Sequence, residues 1–228
     1  MNSKTCYLRK IKALEDFTAS QLERIAPRFK YKEITAKQLI VHSGEHTNEV
    51  YFIVGGTVRA TQFTPSGSEV AYQDLEVGEM FGELAAIDEQ QRTTDVIALV
   101  KTELLWLSRS DFIQLIETTP EFTWGVLKRM SYMNRFLCAR VFEYSALNVR
   151  SRIRAELIRL YEKSGRLVDG VAFVENPPKH QELANRLATH REAVTRELND
   201  LQKKNLIKKE RNLLVFLDLE ALQSIIWQ

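Results

Sequence analysis

An α+β chain in three parts is predicted: an N-terminal antiparallel β-roll, one long helix, and a C-terminal winged helix-turn-helix. Three observations carry this. Short runs with a period of two, divided by turn glycines, fill the stretch from Tyr31 to Leu107. Apolar residues spaced by three and four then run from Val126 to Tyr144. Two tightly joined helical patterns and a hairpin pattern follow Pro178. The expected divisions are 1–120, 121–148 and 149–228.

Composition narrows the function. The chain has 228 residues, 44% hydrophobic and 27% charged, which is an ordinary soluble balance. No apolar run approaches the ~20 residues that cross a bilayer, so no membrane partner is expected. Met1 to Lys12 is charged and lacks an apolar signal core, which places the chain in the cytoplasm. Cys6 and Cys138 lie far apart without metal-ligand spacing and read as reduced thiols. His42, His46, His180 and His190 are scattered, and the glycine between the first two argues for a turn, so no metal site is expected. No paired carboxylates or nucleophile motif stand out, so no catalytic residues are expected and the protein reads as a non-enzyme. Charge is uneven: 15 Lys/Arg stand against 11 Asp/Glu from residue 149 onward, and 17 against 19 before it. A basic C-terminal domain points to a polyanion.

The elements follow in order. Leu14, Phe17, Leu22, Ile25 and Phe29 form one helical face over residues 15–30, with Thr18 as a cap and Pro27 as a stop. Strand-like runs then occupy Ile34, Leu39 to Val41, Val50 to Val54, Val58 to Phe63, Val70 to Leu75, Val96 to Val100 and Leu104 to Leu107. Gly44, Gly55, Gly67 and Gly78 recur every eleven or twelve residues, a spacing that suits a compact roll. A helix follows Ser108, with Ser110 and Asp111 offering a cap. Pro120 suits the first turn of the long helix, about 121–147. Its seam of Val126, Met130, Met133, Leu137, Val141 and Tyr144 implies a homodimer. Asn148 caps a helix over 149–162 that buries Ile153, Leu157, Ile158 and Leu160 and carries Arg150, Arg152, Arg154 and Arg159. Helices about 178–187 and 190–204 meet at Ala188-Thr189, where Thr189 and Glu192 make a capping box. Leu183, Leu187, Val194, Leu198 and Leu201 are their core. Leu206-Ile207 and Leu213 to Leu217 form the hairpin wing.

One insertion interrupts the strands: Met80 to Val96, with Gly82-Glu83-Leu84-Ala85 at its start and Arg92-Thr93-Thr94 at its end. Glycine lets the backbone approach a ligand, free N–H groups at a helical turn attract anions, and an arginine clamps phosphate. A neighbouring carboxylate accepts from a ribose hydroxyl. The stretch reads as a pocket for a sugar phosphate.

With these parts in place, the chain resembles the bacterial cyclic-AMP receptor protein / fumarate–nitrate regulator family over nearly its whole length. The cassette F-G-E-L-A-x-I-x-x-x-x-R-T is also similar to that of cyclic-nucleotide-dependent protein kinases. The resemblance implies a cyclic-nucleotide-responsive transcription regulator of the cyclic-nucleotide-binding branch, with no covalent cofactor. Gly82, Leu84 and Ala85 would offer backbone to the cyclic phosphate. Glu83 would accept the ribose 2′-hydroxyl, Arg92 would pair with the phosphate, and Thr93 would bond phosphate or purine. Leu137 and Cys138 stand where the family places a hydroxyl pair against adenine, with Asn134 or Arg135 nearby as substitutes. Thr93 is the residue type found where kinases prefer cyclic GMP, so the expected ligand is cyclic AMP, cyclic GMP or both. The alternatives are a family member sensing haem (through His42 or His46) or another small molecule, and one that binds DNA without ligand.

His190-Arg191-Glu192-Ala193-Val194-Thr195-Arg196 resembles the family's recognition helix. Arg191 and Arg196 fit guanine and Glu192 fits cytosine, with Arg196 also within reach of Glu192 along the helix. Thr189, His190 and Thr195 complete the expected DNA-facing set. Lys179, Lys203, Lys208, Lys209 and Arg211 would touch phosphates. The implied site is an inverted repeat resembling TGTGA and TCACA, about six base pairs apart. The turn Lys163 to Gly170 is the expected contact for RNA polymerase.

Overall fold

The computed structural model describes residues 3–227. Met1, Asn2 and Gln228, which the predicted division includes, lie outside the described residues. The chain forms two compact units, 1–135 and 136–228.

The first unit opens with a helix that periodicity did not reveal, α1 (Ser3–Leu8). Next comes α2 (Ala19–Ile25), where Thr18 and Gln21 form a capping box, so the expected cap is present on a shorter helix. Eight strands follow: β1 (Lys30–Ile34), β2 (Leu39–Val41), β3 (Val50–Gly55), β4 (Val58–Phe63), β5 (Glu69–Leu75), β6 (Met80–Phe81), and, after α3 (Glu83–Asp88), β7 (Asp95–Ala98) and β8 (Thr102–Leu107). They pair in two four-stranded antiparallel sheets, β1-β8-β3-β6 and β2-β7-β4-β5.

β3 explains how the layers stack. Its run Val50 to Val54 is apolar at every position because both its faces are covered. Tyr51 and Ile53 point into a core shared with Val58, Leu75, Val96 and Leu104. Val50, Phe52 and Val54 point the other way, onto Leu8, Leu14, Leu22, Phe29, Phe112 and Phe122. The turn glycine with positive φ is Gly56 rather than Gly55, which keeps the spacing near eleven.

α4 (Arg109–Thr118) is capped by Ser108, whose hydroxyl accepts the Asp111 N–H at 3.2 Å. The cap therefore lies two residues before the expected Ser110-Asp111. α5 (Pro120–Ala146) begins at Pro120 and runs 27 residues. Gly125 sits inside it for a packing reason: a Cβ there would lie 2.4 Å from the Ala13 carbonyl oxygen. Val126 and Met130, read above as the start of an inter-helix seam, instead pack into the roll's helical core. The later seam residues Leu137, Val141 and Tyr144 are exposed, as is Trp124 at 62%.

The second unit holds the end of α5, then α6 (Val149–Ser164), β9 (Gly165–Val168), β10 (Val171–Glu175), α7 (His180–Arg186), α8 (Arg191–Lys203), β11 (Ile207–Glu210), β12 (Leu213–Phe216) and α9 (Leu219–Ser224). Asn148 caps α6 by accepting the Ser151 N–H at 3.0 Å, as expected. The hairpin β11–β12 extends into a four-stranded sheet, β11-β12-β10-β9. Ile153, Leu157, Leu183, Leu187, Val194, Leu198 and Leu201 form its core with β10 and β12.

Arg154 departs from its expected place on a solvated face. It is buried, donates to Glu197 at 2.7 Å and caps the chain at the Ile225 carbonyl, also 2.7 Å away. Glu197 is 2% exposed. Arg154→Met leaves that buried carboxylate to the exposed and more distant Arg150, 3.9 Å away, and will lower stability by up to about 3–5 kcal/mol in urea unfolding. The double variant Arg154→Met/Glu197→Leu will recover most of the loss.

Candidate functional site

The residues expected to hold a sugar phosphate lie at the junction of β6, α3 and the loop before β7. Gly82 occupies the left-handed region at φ +86°. It could hardly be another residue, since a Cβ would lie 2.6 Å from Arg92 Nη1 and 2.7 Å from the Glu49 carbonyl oxygen. Glu83 and the exposed Leu84 open α3, and Ala85 is buried beneath.

Arg92 is the centre of this junction and is 4% exposed. Its Nε donates to Thr47 Oγ1 at 2.9 Å and its Nη1 to the Gly82 carbonyl at 2.8 Å. Nη2 donates to the Glu49 carbonyl at 2.9 Å and to the Glu49 carboxylate at 3.4 Å. Backbone bonds pin the loop on both sides, Gly44 N–H to Arg92 and Arg92 N–H to Glu45. Burial is the main influence on the guanidinium and lowers its pKa, while Tyr51, Glu49, Glu45 and Glu83 act in the opposite direction. The group remains a cation, since an arginine starts far above neutrality.

Glu83 shares this environment. Burial raises its carboxyl pKa; its own backbone hydrogen bond and the charges of Arg129 and Arg92 pull the other way. Arg129 reaches in from α5 and pairs with the buried Glu79 at 3.1 Å. Its Nε is buried without a hydrogen-bond partner. Thr93 lies exposed beside Arg92, and its carbonyl accepts from Ser43. Asn134, Leu137 and Cys138 are exposed positions on α5, the last two in the second unit. Spacing did not reveal Thr47, Glu49 or Arg129, because an arginine's partners come from a turn and a helix distant in sequence.

The histidines have ordinary partners. His42 Nδ1 lies 2.7 Å from Asp95, and His46 Nε2 lies 2.9 Å from the Gln91 amide. Among the described residues no group of three His, Cys, Asp or Glu side chains is placed to hold a metal.

The second unit presents the other predicted surface. α8 begins at Arg191 with His190 as its N-cap, and neither His190 nor Thr189 supplies a capping side chain. The expected Thr189–Glu192 box is therefore absent; Thr189 instead ends the preceding turn, its N–H bonded to the Ala184 carbonyl. Ala188 makes that turn at φ +46°. At the start of α7, Glu182 accepts the Lys179 N–H at 2.9 Å. Arg191, Glu192 and Arg196 are exposed and share one edge of α8, and Glu192 and Arg196 form no pair with each other. Thr195 turns inward, its hydroxyl 2.8 Å from His180 Nδ1. Burial, then Lys209 and Arg191, lower the His180 pKa. Lys209 lies exposed on β11.

α7 is also fastened to the end of α5. Arg140 and Tyr144 both donate to the Arg186 carbonyl, at 2.5 and 2.9 Å, filling an acceptor that a helix C-terminus leaves open. The buried Glu156 gathers Arg140, Arg159 and Arg186 around it.

Comparison with known proteins decides the family. Residues 31–119 match the cyclic nucleotide-binding domain, and residues 151–225 match the Crp-like helix-turn-helix domain. The chain belongs to the cyclic-AMP receptor protein / fumarate–nitrate regulator family of transcription regulators. It is 28% identical over 175 residues to the cAMP-activated global transcriptional regulator CRP of Salmonella typhimurium, covering 75% of this chain and 82% of that protein. In fold it is similar to a CooA mutant from Carboxydothermus hydrogenoformans, with TM-score 0.81, 18% identity and 95% of each chain covered. It is also similar to the c-di-GMP-responsive global regulator CLP of Xanthomonas campestris, with TM-score 0.75 and 20% identity over 87% of this chain and 99% of that one. The family is one of transcription regulators rather than enzymes, and DNA binding goes with its helix-turn-helix.

Burial disfavours the charged Glu83 carboxylate, so Glu83→Gln will raise the melting temperature of the protein at neutral pH in a thermal scan.

Proposed function

We propose that the protein is a cytoplasmic, dimeric transcription regulator that binds cyclic AMP, cyclic GMP or both in the β-roll and then binds an inverted-repeat DNA site. The buried Arg92 cation at the Gly82 corner carries this reading. A buried charge is costly unless it is paired, and a cyclic phosphodiester is an anion whose paired oxygens match a guanidinium fork. Gly82, Leu84 and Ala85 would offer backbone to the phosphate, Glu83 would accept the ribose 2′-hydroxyl, and the exposed Thr93 would bond phosphate or base.

The dimer would form along α5. Trp124, Leu127, Ser131, Asn134, Cys138 and Val141 step by 3, 4, 3, 4 and 3 and are all exposed. This line shares Val141 with the apolar seam read in the sequence, whose first two residues belong to the roll. Asn134 and Cys138 lie on this line, and Leu137 flanks it. Ligand affinity for one arrangement of α5 would shift the population of DNA-reading dimers. The residues 1–120, 121–148 and 149–228 would then act as sensor, coupler and reader.

For DNA, the free and exposed Arg191, Glu192 and Arg196 are the base-reading set, on sequences resembling TGTGA and its inverse. His190, Thr189, Lys179 and Lys209 would border the groove, and Thr195 would act by orienting His180 and α8. The stretch Lys163 to Gly170, which forms the end of α6, β9 and the turn after it, is the proposed face toward RNA polymerase.

Arg92→Ala will abolish cyclic-nucleotide binding in calorimetry while the melting transition persists; tight binding by the variant would contradict the assignment. Arg191→Ala will cost about 1–3 kcal/mol on the specific site and relax base preference there. Equal losses on specific and random duplexes, measured by fluorescence anisotropy, would contradict direct reading by that arginine.

A further inference from the structure

Glu49 stands out among the groups around Arg92. Three neutral acceptors already orient the guanidinium at 2.8–2.9 Å: the Thr47 hydroxyl and the Gly82 and Glu49 carbonyls. The Glu49 carboxylate is a fourth partner at 3.4 Å, and its side chain is 36% exposed while that of Arg92 is 2% exposed. The carboxylate is thus the long, more exposed member of the set and, among the described residues, the only anion bonded to the cation. Orientation does not depend on it. Its side chain is the solvent-exposed part of the pair, so an anion arriving from solvent meets it before it meets Arg92.

We infer that the Glu49 carboxylate is an internal competitor for the phosphate at Arg92, and that it sets how much cyclic nucleotide the regulator needs. This rests on the cyclic-nucleotide reading of the pocket. A phosphodiester bound at Arg92 takes the place of the carboxylate or sits against it. Either way the ligand meets a like charge a few ångströms from its own, in surroundings where burial strengthens the repulsion. Glu45, which also acts on Arg92, adds to the same acidic field. The pocket therefore holds its cation satisfied without ligand, and the ligand gains only the difference between two anions.

Glu49→Gln keeps the backbone carbonyl bond and the side-chain shape and removes the charge. It will bind cyclic AMP or cyclic GMP roughly 3- to 10-fold more tightly than the parent in calorimetry. Its affinity will also fall more steeply between about 50 and 300 mM salt, because the repulsion that offsets the Arg92 attraction is gone. Glu49→Ala will change both quantities in the same direction. Equal or weaker binding by both variants, with melting profiles matching the parent, would overturn the inference and make Glu49 a positioning residue for Arg92. If the folded parent and both variants bind neither nucleotide, the reading of the pocket itself fails, and this inference with it. Tight binding by the parent alone defeats only the role given to Glu49.

Discussion

The first unit is built around a guanidinium that has been taken out of water. Arg92 must keep hydrogen-bond acceptors on every side, because an unpaired buried cation costs several kcal/mol. That demand explains local features that otherwise look unrelated. Gly82 takes a left-handed conformation so that its carbonyl faces the arginine without a Cβ between them. Thr47 and Glu49 come from a loop about forty residues earlier. The loop itself is stitched to Gly44 and Glu45 by backbone bonds. The sheets then hold this corner rigid, since β3 is buried on both faces.

The second unit relies on buried ion pairs in the same way. Arg154 and Glu197 join α6 to α8, and Glu156 collects three arginines from α5, α6 and α7. Such pairs add little net stability over apolar packing, but they fix geometry, because displacing either partner strands a charge. The reading helix is therefore held at a defined angle to α6, and the end of α5 is bonded directly to the end of α7 through Arg140 and Tyr144. A shift at the end of that long helix has a route to α7 that consists of two hydrogen bonds.

Much of this was legible in the sequence, for physical reasons that differ by element. Strands with alternating burial, the Thr18 and Asn148 caps and the Leu183-to-Leu201 core announce themselves through local periodicity and side-chain chemistry. The cassette was legible because glycine, acid and arginine must stand at fixed spacing. Long-range polar partners were not. Nothing near Arg92 in sequence points to Thr47 or Glu49, and Arg154 looks like any other arginine on a basic helix. Two of the six seam residues belong to the roll, because Val126 and Met130 have the right spacing for a coiled coil and also for the roll's own core. Periodicity does not say which partner a face will meet. The capping residue of α8 was misplaced by one for a similar reason: Thr189 is spent on closing the turn after Ala188.

The proposed function requires the roll and the reading helix to be energetically linked. Linkage is reciprocal, so a nucleotide that strengthens DNA binding must itself be bound more tightly by the DNA complex, and by the same factor. The direct measurement is the dissociation constant of cyclic AMP and of cyclic GMP for the full-length protein, alone and with a saturating inverted-repeat duplex. It is set beside the duplex affinity with and without nucleotide. The account predicts equal factors of about 5–150 in the two directions for at least one nucleotide. Tight nucleotide binding with no change in either direction would contradict it.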